Sequence, residues 1–204
     1  MKKFEAVIFD YGGVIININY QATLDAFKSL GILDIDGMYS QAAQSNLFND
    51  FETGKISPQY FINQLLSFAP VGTTPNQIVH AWNAMILDVP KESIELLERL
   101  KLEGYRVFLL SNTNSLHIDL ANRRWDVVSD KSPTEMFEKV YYSHEVKMRK
   151  PSVDIFQMVI KENDLNPERT LFIDDSTQHI EGAKKAQLGT LHLPKREELF
   201  DYFS

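Results

Sequence analysis

Four short polar segments hold the side chains that could do chemistry. They are residues 9–14, 110–114, 149–151 and 172–176. The groups that stand out in them are three carboxylates, one hydroxyl and one amine, from Asp10, Asp174, Asp175, Ser111 and Lys150. Taken singly, each segment is typical of a turn, a solvated loop or a capped helix start. Taken together, they supply what is needed to move a phosphoryl group.

Each type of group has a defined role in phosphoryl chemistry. A carboxylate can attack phosphorus and form an aspartyl phosphate. Magnesium commonly binds through one or two carboxylates together with the phosphate of the substrate. A lysine neutralises phosphate oxygens as a point charge. The sequence therefore predicts a Mg²⁺ cofactor and a small phosphorylated molecule as the partner.

Apolar runs and amphipathic segments alternate along most of the chain, and these elements would have to position the polar groups. Continuous apolar runs at 6–9, 106–110, 140–142, 170–173 and 190–193 are typical of strands covered on both faces. Amphipathic patterns at 91–103, 152–163 and 177–187 predict helices. Strand–helix alternation favours an α/β fold with a Rossmann-like, doubly wound parallel sheet. In such a sheet ligands bind at the carboxyl ends of the strands, where three of the polar segments begin.

Residues 18–87 interrupt this alternation because they contain only helical patterns. Ser57-Pro58 and Thr74-Pro75 each pair an N-cap residue with proline at the first helical position. We therefore predict a core domain of residues 1–17 and 88–204 and an inserted all-helical cap of residues 18–87. Six aromatic side chains are expected to pack inside the cap: Tyr39, Phe48, Phe51, Tyr60, Phe61 and Phe68.

Composition narrows the classes of function. The chain has 204 residues, a formal net charge of −7 and no dense Lys/Arg run, so nucleic acid is not an expected partner. It has no cysteine, which excludes disulfides, thiolate metal sites and a cysteine nucleophile. No apolar run approaches the ~18 residues that a membrane span needs. We expect a cytoplasmic enzyme without membrane partners, and the sequence does not indicate an oligomeric state.

The order of the motifs resembles that of the haloacid-dehalogenase superfamily. The four ordered matches are Asp10-x-x-Gly-Val, Ser111-Asn112, Lys150-Pro151 and Asp174-Asp175-Ser. The helical insert after the first strand is similar to the type-one cap of that superfamily. The segments 110–114, 148–151 and 51–57 resemble a subgroup that includes bacterial glucose-1-phosphate phosphatases and the phosphatase domain of bifunctional epoxide hydrolases.

This resemblance implies roles for the residues that contact the phosphoryl group. Asp10 would be the nucleophile and a metal ligand. Ser111 would hydrogen-bond the transferring phosphoryl group, helped by the backbone or the side chain of Asn112. Lys150 would stabilise charge on the phosphoryl oxygens and on Asp10.

The resemblance also implies a metal site and a substrate-facing loop. Asp175 would hold the metal, directly or through water, and Asp174 would orient Lys150 or a metal-bound water. The position of Gly12 would contribute its backbone carbonyl to the metal. Glu52 to Lys55 would form the cap loop that faces the substrate. The implied activity is that of a magnesium-dependent phosphatase acting on a small phosphomonoester, such as a sugar phosphate.

Gly12 departs from the family pattern. Most phosphatases of the family carry a second aspartate there, which protonates the leaving group and later activates water. Such acid–base catalysis is typically worth about 10²–10⁴-fold. We therefore expect slow turnover, a substitute group or water, or a leaving group that needs little help. An anomeric sugar phosphate has a comparatively acidic leaving oxygen and would be affected least.

Two alternatives follow from the same departure. Metal-independent 2-haloacid dehalogenases of the superfamily also lack the second aspartate, but they use an arginine early in the chain, and the first arginine here is Arg99. A scaffold that binds phosphate without turnover is the other alternative. His117 is expected either on a helix surface or in the site, and His144 and His179 flank motif segments. No histidine–glutamate spacing indicates zinc.

Overall fold

The core of the protein is a parallel sheet of five strands in the order β3-β2-β1-β4-β5. The computed structural model describes residues 3–32, 34 and 46–204. The strands are β1 (Ala6–Phe9), β2 (Arg106–Ser111), β3 (Lys139–Tyr142), β4 (Thr170–Asp174) and β5 (Gly189–His192). Ile8 of the middle strand, β1, pairs with Phe108 of β2 on one side and with Phe172 of β4 on the other. The predicted strands are confirmed to within one residue at each end.

Four helices of the described residues lie within the predicted insert, residues 18–87. They are α1 (Tyr20–Ser29), α2 (Leu47–Glu52), α3 (Pro58–Leu66) and α4 (Pro75–Asn83). The predicted N-caps are present, because Ser57 accepts a hydrogen bond from the Tyr60 amide and Thr74 from the Gln77 amide. Residues 67–74, which are neither helix nor strand, join α3 to α4.

The remaining helices accompany the sheet. They are α5 (Lys91–Leu102), α6 (Ser115–Trp125), α7 (Pro133–Met136), α8 (Ser143–Val146), α9 (Val153–Glu162), α10 (Thr177–Lys185) and α11 (Glu198–Tyr202), with a 3₁₀ turn at Pro167–Arg169. None of the helices in the described part of the chain is long and apolar enough to cross a membrane.

Side chains of the central strands alternate between two buried layers. Val7 and Phe9 join the cluster that contains Leu97 of α5, whereas Ile8 joins the cluster that contains Phe156 of α9. A strand buried on both faces is what a doubly wound sheet requires. The predicted α/β fold is therefore confirmed.

The segment that contains α1 to α4 has an apolar cluster of its own. Phe51 and Phe61 are buried there, with ring centroids 4.1 Å apart, and Phe48 and Phe68 pack against the cluster. Tyr60 does not belong to it: the residue is 51% exposed, because it lies on the outer face of α3. Tyr39 lies outside the described residues.

The chain enters and leaves this helical segment through two connecting stretches, which lie side by side. The amide of Asn17 donates to the Asp88 carbonyl at 2.9 Å, the Leu87 amide donates to the Asn17 carbonyl at 3.1 Å, and the Asn19 amide donates to the Met85 carbonyl at 2.9 Å. The connecting stretches fall where residues 17/18 and 87/88 were expected to divide core from cap. The partition into two domains stays a prediction.

Candidate active site

Three carboxylates converge at the carboxyl end of the two central strands. Asp10 follows β1 directly, Asp174 ends β4, and Asp175 is the next residue. Each offers an oxygen, and these oxygens all lie within 4.8 Å of one another. The parallel pairing of β1 with β4 brings the two strand ends together, so the sheet itself creates this cluster.

Lys150 reaches the cluster from the loop before α9 and is fully buried. Its Nζ donates to Asp10 Oδ1 at 2.7 Å and to Asp174 Oδ2 at 2.6 Å. The Asn112 side chain fixes the backbone of the lysine: its Oδ1 accepts from the Lys150 amide at 2.9 Å, and its Nδ2 donates to the Lys150 carbonyl at 2.8 Å. The position of the amine is therefore set at both ends of the residue.

The carboxylate of Asp174 accepts hydrogen bonds from three groups of the protein. Besides Lys150, its Oδ1 accepts from the Ser176 amide at 2.8 Å, and His179 Nδ1 lies 2.9 Å from the same oxygen. Burial raises the pKa of Asp174, but the charge of Lys150 and the hydrogen bond from His179 outweigh it, so the net shift is downward. Asp174 is thus held as a charged group that orients Lys150.

Asp10 and Lys150 respond in opposite ways to the same burial. Burial raises the pKa of Asp10 to about 7, with Lys150 opposing the rise and Asp174 and Asp175 adding to it. For Lys150, burial alone would lower the pKa, yet Asp10 and Asp174 raise it above its ordinary value. The lysine therefore stays protonated, while the cluster still holds more negative charge than one amine can balance.

The cluster fits a divalent metal ion. Magnesium prefers oxygen ligands, and a cation beside three carboxylates would relieve their mutual repulsion. Gly13 makes room for this arrangement: its φ is +78°, and a Cβ there would lie 2.4 Å from Asp175 Oδ2. The pKa of Asp175 is raised by burial and by Asp174, as expected for a carboxylate that lacks a full complement of positive charge.

A cavity of about 280 Å³ opens onto the cluster. Polar groups and apolar side chains both line it. Its lining is Asp10, Tyr11, Gly12, Ile16, Ile18, Tyr20, Glu52, Met85, Ile86, Ser111, Asn112, Thr113, His117, Ile118, Ala121, Arg149, Asp175, Ser176 and His179. The structure thus brings Ser111, Asn112, Gly12 and Glu52 to the same cavity as Asp10, with Lys150 and Asp174 buried behind it.

A family model described as haloacid dehalogenase-like hydrolase matches residues 7–192, which is most of the chain. The chain belongs to the haloacid dehalogenase-like hydrolases. D-ribitol-5-phosphate phosphatase of Bacteroides thetaiotaomicron is 30% identical over 179 residues, covering 88% of this chain and 86% of the relative.

Solved structures of a haloacid-dehalogenase family enzyme from the same bacterium share the fold of this hydrolase. A magnesium complex has a TM-score of 0.89 at 31% identity and covers 99% of this chain and 98% of its own. The wild-type protein in complex with magnesium and inorganic phosphate has a TM-score of 0.85 at 31% identity, with 93% of each chain covered.

One predicted site residue, Lys55, lies away from the cavity of this hydrolase, and a second, Asn112, has its side chain engaged. Lys55 does not line the cavity: its side chain is 59% exposed and forms an ion pair with Asp50 at 3.4 Å. The left-handed turn at Gly54 directs the chain away, and the Lys55 amide bonds back to the Asp50 carbonyl. The side chain of Asn112 is engaged by Lys150, so only its backbone remains for a phosphoryl group.

The cavity of the hydrolase contains a buried, uncharged histidine. His117 is 9% exposed and lines the cavity, so of the two expected places the helix surface was wrong and the residue lies in the site. Its Nδ1 lies 3.1 Å from Asn114 Nδ2 and its Nε2 lies 3.2 Å from the Trp82 carbonyl, which leaves neither nitrogen free. Burial lowers the pKa of His117 to about 4. It therefore joins α4 to α6 as a neutral ring and is not a proton donor at neutral pH.

Arg149 and Tyr20 line the cavity, although the motifs gave neither of them a role. Arg149 Nη2 lies 3.0 Å from Glu52 Oε2. Arg149, which precedes Lys150, therefore forms an ion pair across the cavity with the last residue of α2. Burial raises the pKa of Glu52 even though Arg149 opposes the rise. The signal in the sequence was the charge of Arg149 next to Lys150, but its partner could not be found without the fold.

The backbone at Gly12 is not in the left-handed region, unlike that of Gly13. A Cβ at Gly12 would meet Ile18 Cδ1 at 3.2 Å and Ile18 Cγ2 at 3.3 Å. The space that a side chain at position 12 would enter is therefore partly filled by Ile18. This isoleucine sits in the connecting stretch between sheet and helical segment, where it pairs with Ile86.

Proposed function

We propose that the protein is a magnesium-dependent phosphatase that hydrolyses a small phosphomonoester through an aspartyl phosphate on Asp10. The observation that carries the proposal is the cluster of Asp10, Asp174 and Asp175 at the edge of a cavity, with a buried Lys150 bonded to the first two. A cavity of about 280 Å³ is at the small end of ligand sites, which run from ~300 to 1,000 Å³. The cavity therefore suits a small leaving group.

In the first step, an oxygen of Asp10 forms a bond to phosphorus, and the bond from phosphorus to the leaving oxygen breaks. The electron pair of that bond goes to the leaving oxygen, which takes a proton from water because Gly12 offers no side chain. Lys150 remains protonated and balances charge on the attacking carboxylate and on the phosphoryl oxygens. The hydroxyl of Ser111, which lines the cavity, hydrogen-bonds the phosphoryl group.

In the second step, a water molecule bonds to phosphorus and gives up a proton. The bond between phosphorus and Asp10 breaks, the carboxylate is restored, and inorganic phosphate is released. Asp174 keeps Lys150 in place through both steps, because its two oxygens accept from Lys150, the Ser176 amide and His179.

Asp10, Asp175 and the carbonyl of Gly12 would hold magnesium, with Asp174 adjacent. When bound, the ion neutralises the phosphoryl oxygens and directs the phosphorus toward Asp10. Gly13 permits this set, since any side chain there would displace Asp175.

The substrate class comes from the cavity together with the relative that acts on D-ribitol 5-phosphate. We infer a sugar or polyol phosphate. Glu52, Arg149 and Tyr20 give the cavity a polar wall away from the carboxylates, which suits a hydroxyl-bearing leaving group. A cytoplasmic location accompanies this proposal, because phosphorylated sugars and polyols are intracellular metabolites.

The dehalogenase alternative has weaker support in the site. A 2-haloacid needs a cation for its own carboxylate, but the arginine that lines the cavity, Arg149, is already paired with Glu52. Three converging carboxylates would also repel an anionic substrate unless a cation joins them.

The proposal is tested by phosphate release from p-nitrophenyl phosphate and from D-ribitol 5-phosphate, with and without magnesium. We expect turnover that requires the metal and disappears in Asp10→Asn, whose amide has the same size but cannot attack phosphorus. Full activity in chelator-treated protein, or in Asp10→Asn, would refute the phosphatase mechanism. Binding of phosphate without any turnover would favour the non-catalytic scaffold.

A further inference from the structure

The loop that supplies Lys150 also contacts the helical segment, through the side chains just before the lysine. Lys147 Nζ donates to the Gly54 carbonyl at 2.9 Å and to the His144 carbonyl at 2.9 Å. Arg149 Nη2 lies 3.0 Å from Glu52 Oε2. Segment 52–54 and segment 147–149 are thereby held against each other at the rim of the cavity.

The Arg149–Glu52 pair has hydrogen-bonding capacity that the protein does not use. Arg149 Nε is enclosed and, within the described residues, has no hydrogen-bond partner, while the enclosed Glu52 Oε2 meets Arg149 Nη2 in the ion pair. Enclosed polar atoms in folded proteins are almost always satisfied by protein or water. Guanidinium has five N–H donors and a carboxylate about four acceptor sites, so one ion pair leaves most of them available.

Both side chains line the same cavity as Asp10. The two side chains stay 35% and 24% exposed, so a ligand can reach both heads, and a group that contacts the guanidinium and the carboxylate at once must itself accept and donate, as a hydroxyl does. A second phosphate or carboxylate on the ligand would be repelled by Glu52, and a plain hydrocarbon would leave both groups unsatisfied. The pair therefore selects for uncharged, hydroxyl-bearing leaving groups.

We propose that Arg149 and Glu52 together bind hydroxyl groups of the leaving group and so set the specificity of the enzyme for phosphomonoesters of polyols or sugars. Arg149 donates to a hydroxyl oxygen, and Glu52 accepts from a hydroxyl hydrogen. This inference rests on the proposed phosphatase function. Lys147 contributes indirectly, since its bond to the Gly54 carbonyl holds the chain next to Glu52.

The test compares kcat/KM for D-ribitol 5-phosphate and glycerol 1-phosphate with kcat/KM for p-nitrophenyl phosphate, whose leaving group has no alcohol hydroxyl to bind. In Arg149→Met and in Glu52→Gln, the ratio of polyol ester to aryl ester should fall by roughly 10- to 100-fold, the usual effect of removing a hydrogen bond to a charged group. The aryl ester serves as the internal reference, because any disturbance of Lys150 lowers both rates equally.

Arg169→Met is the matched control. Arg169 also forms an ion pair with a glutamate, Glu5, at 2.9 Å, but it precedes β4 at the opposite end of the sheet. The ratio should be unchanged in this variant. If Arg149→Met does not fold, Glu52→Gln decides alone, since it preserves the shape of the side chain.

An unchanged ratio in Glu52→Gln, or equal losses on both classes of ester, would overturn the hydroxyl-binding role. A wild-type enzyme that hydrolyses the aryl ester but neither polyol ester would overturn it as well. These results differ from failure of the proposed function, in which the wild type shows no magnesium-dependent hydrolysis of p-nitrophenyl phosphate at all.

Discussion

Gly12→Asp would place a carboxyl group at a position of the cavity wall that carries no side chain. The backbone there is ordinary, so the substitution does not force a left-handed residue. The obstacle is Ile18, whose Cδ1 and Cγ2 would lie 3.2 and 3.3 Å from the new Cβ, a few tenths of an ångström inside the usual contact distance of roughly 3.5–4.0 Å. We expect a loss of about 1 kcal/mol in stability, at the low end for overpacking.

The new carboxyl would join a cluster that already contains Asp10, Asp174 and Asp175. Their negative charge raises its pKa, which is the property that a general acid needs near neutral pH. A positioned acid is worth about 10²–10⁴-fold, and we expect at least a tenfold gain for an alkyl phosphate such as D-ribitol 5-phosphate. The gain should be smaller for an anomeric sugar 1-phosphate, because its leaving oxygen is already more acidic.

The assay is kcat for both esters in wild type, Gly12→Asp and Gly12→Asn, the last having the same size without the acid. The double variant Gly12→Asp with Ile18→Val removes Cδ1, one of the two crowding atoms, and should recover part of the lost stability while keeping the gain. A uniform gain on both esters, or an equal gain in Gly12→Asn, would refute the explanation that leaving-group protonation is what Gly12 lacks.

Three further predictions concern His117, the magnesium site and the contact of Gly54 with the His144 carbonyl. Because the pKa of His117 is about 4 in the folded protein against 6.5 ordinarily, the unfolded chain binds the proton first, and stability should fall by up to roughly 3 kcal/mol as pH drops from 6.5 toward 4. Denaturant titrations should show this extra slope in wild type but not in His117→Gln; parallel curves would contradict it. Asp175→Ala should weaken magnesium binding by more than about tenfold in calorimetry, since even outer-shell partners contribute that much; unchanged affinity would place the metal elsewhere. Gly54→Ala should lower the melting temperature more than Gly104→Ala, because both residues are left-handed but only the first would bring a Cβ to 2.1 Å from the His144 carbonyl; equal shifts would contradict that contact.

The parts of the fold that depend on local pattern could be predicted from the sequence. The strand Ala6–Phe9 is apolar throughout, and Ser57-Pro58 and Thr74-Pro75 are local start signals, so these elements appear where the sequence indicated. The cluster of Asp10 with Asp174 was predictable as well. Parallel strands align their carboxyl ends, and each aspartate comes at the end of a strand.

Contacts between segments that are far apart in the sequence could not be predicted from local sequence patterns. The pairing of Arg149 with Glu52 requires the relative position of a loop of the sheet and a helix of the insert, which no local pattern specifies. The outward direction of Lys55 depends on the backbone at Gly54, and the engagement of Asn112 by Lys150 depends on two loops meeting. Burial of His117 likewise follows from packing of α4 against α6.

The most direct test of the covalent role of Asp10 is to trap its phosphorylated form. The enzyme would be mixed with p-nitrophenyl phosphate and magnesium, quenched in acid within the first turnover, digested and examined by mass spectrometry. We predict one phosphoryl group on the peptide that contains Asp10, located on that residue, and no such adduct in Asp10→Asn. Rapid turnover with no phosphorylated Asp10, or with the phosphoryl group on another residue, would contradict the proposed mechanism.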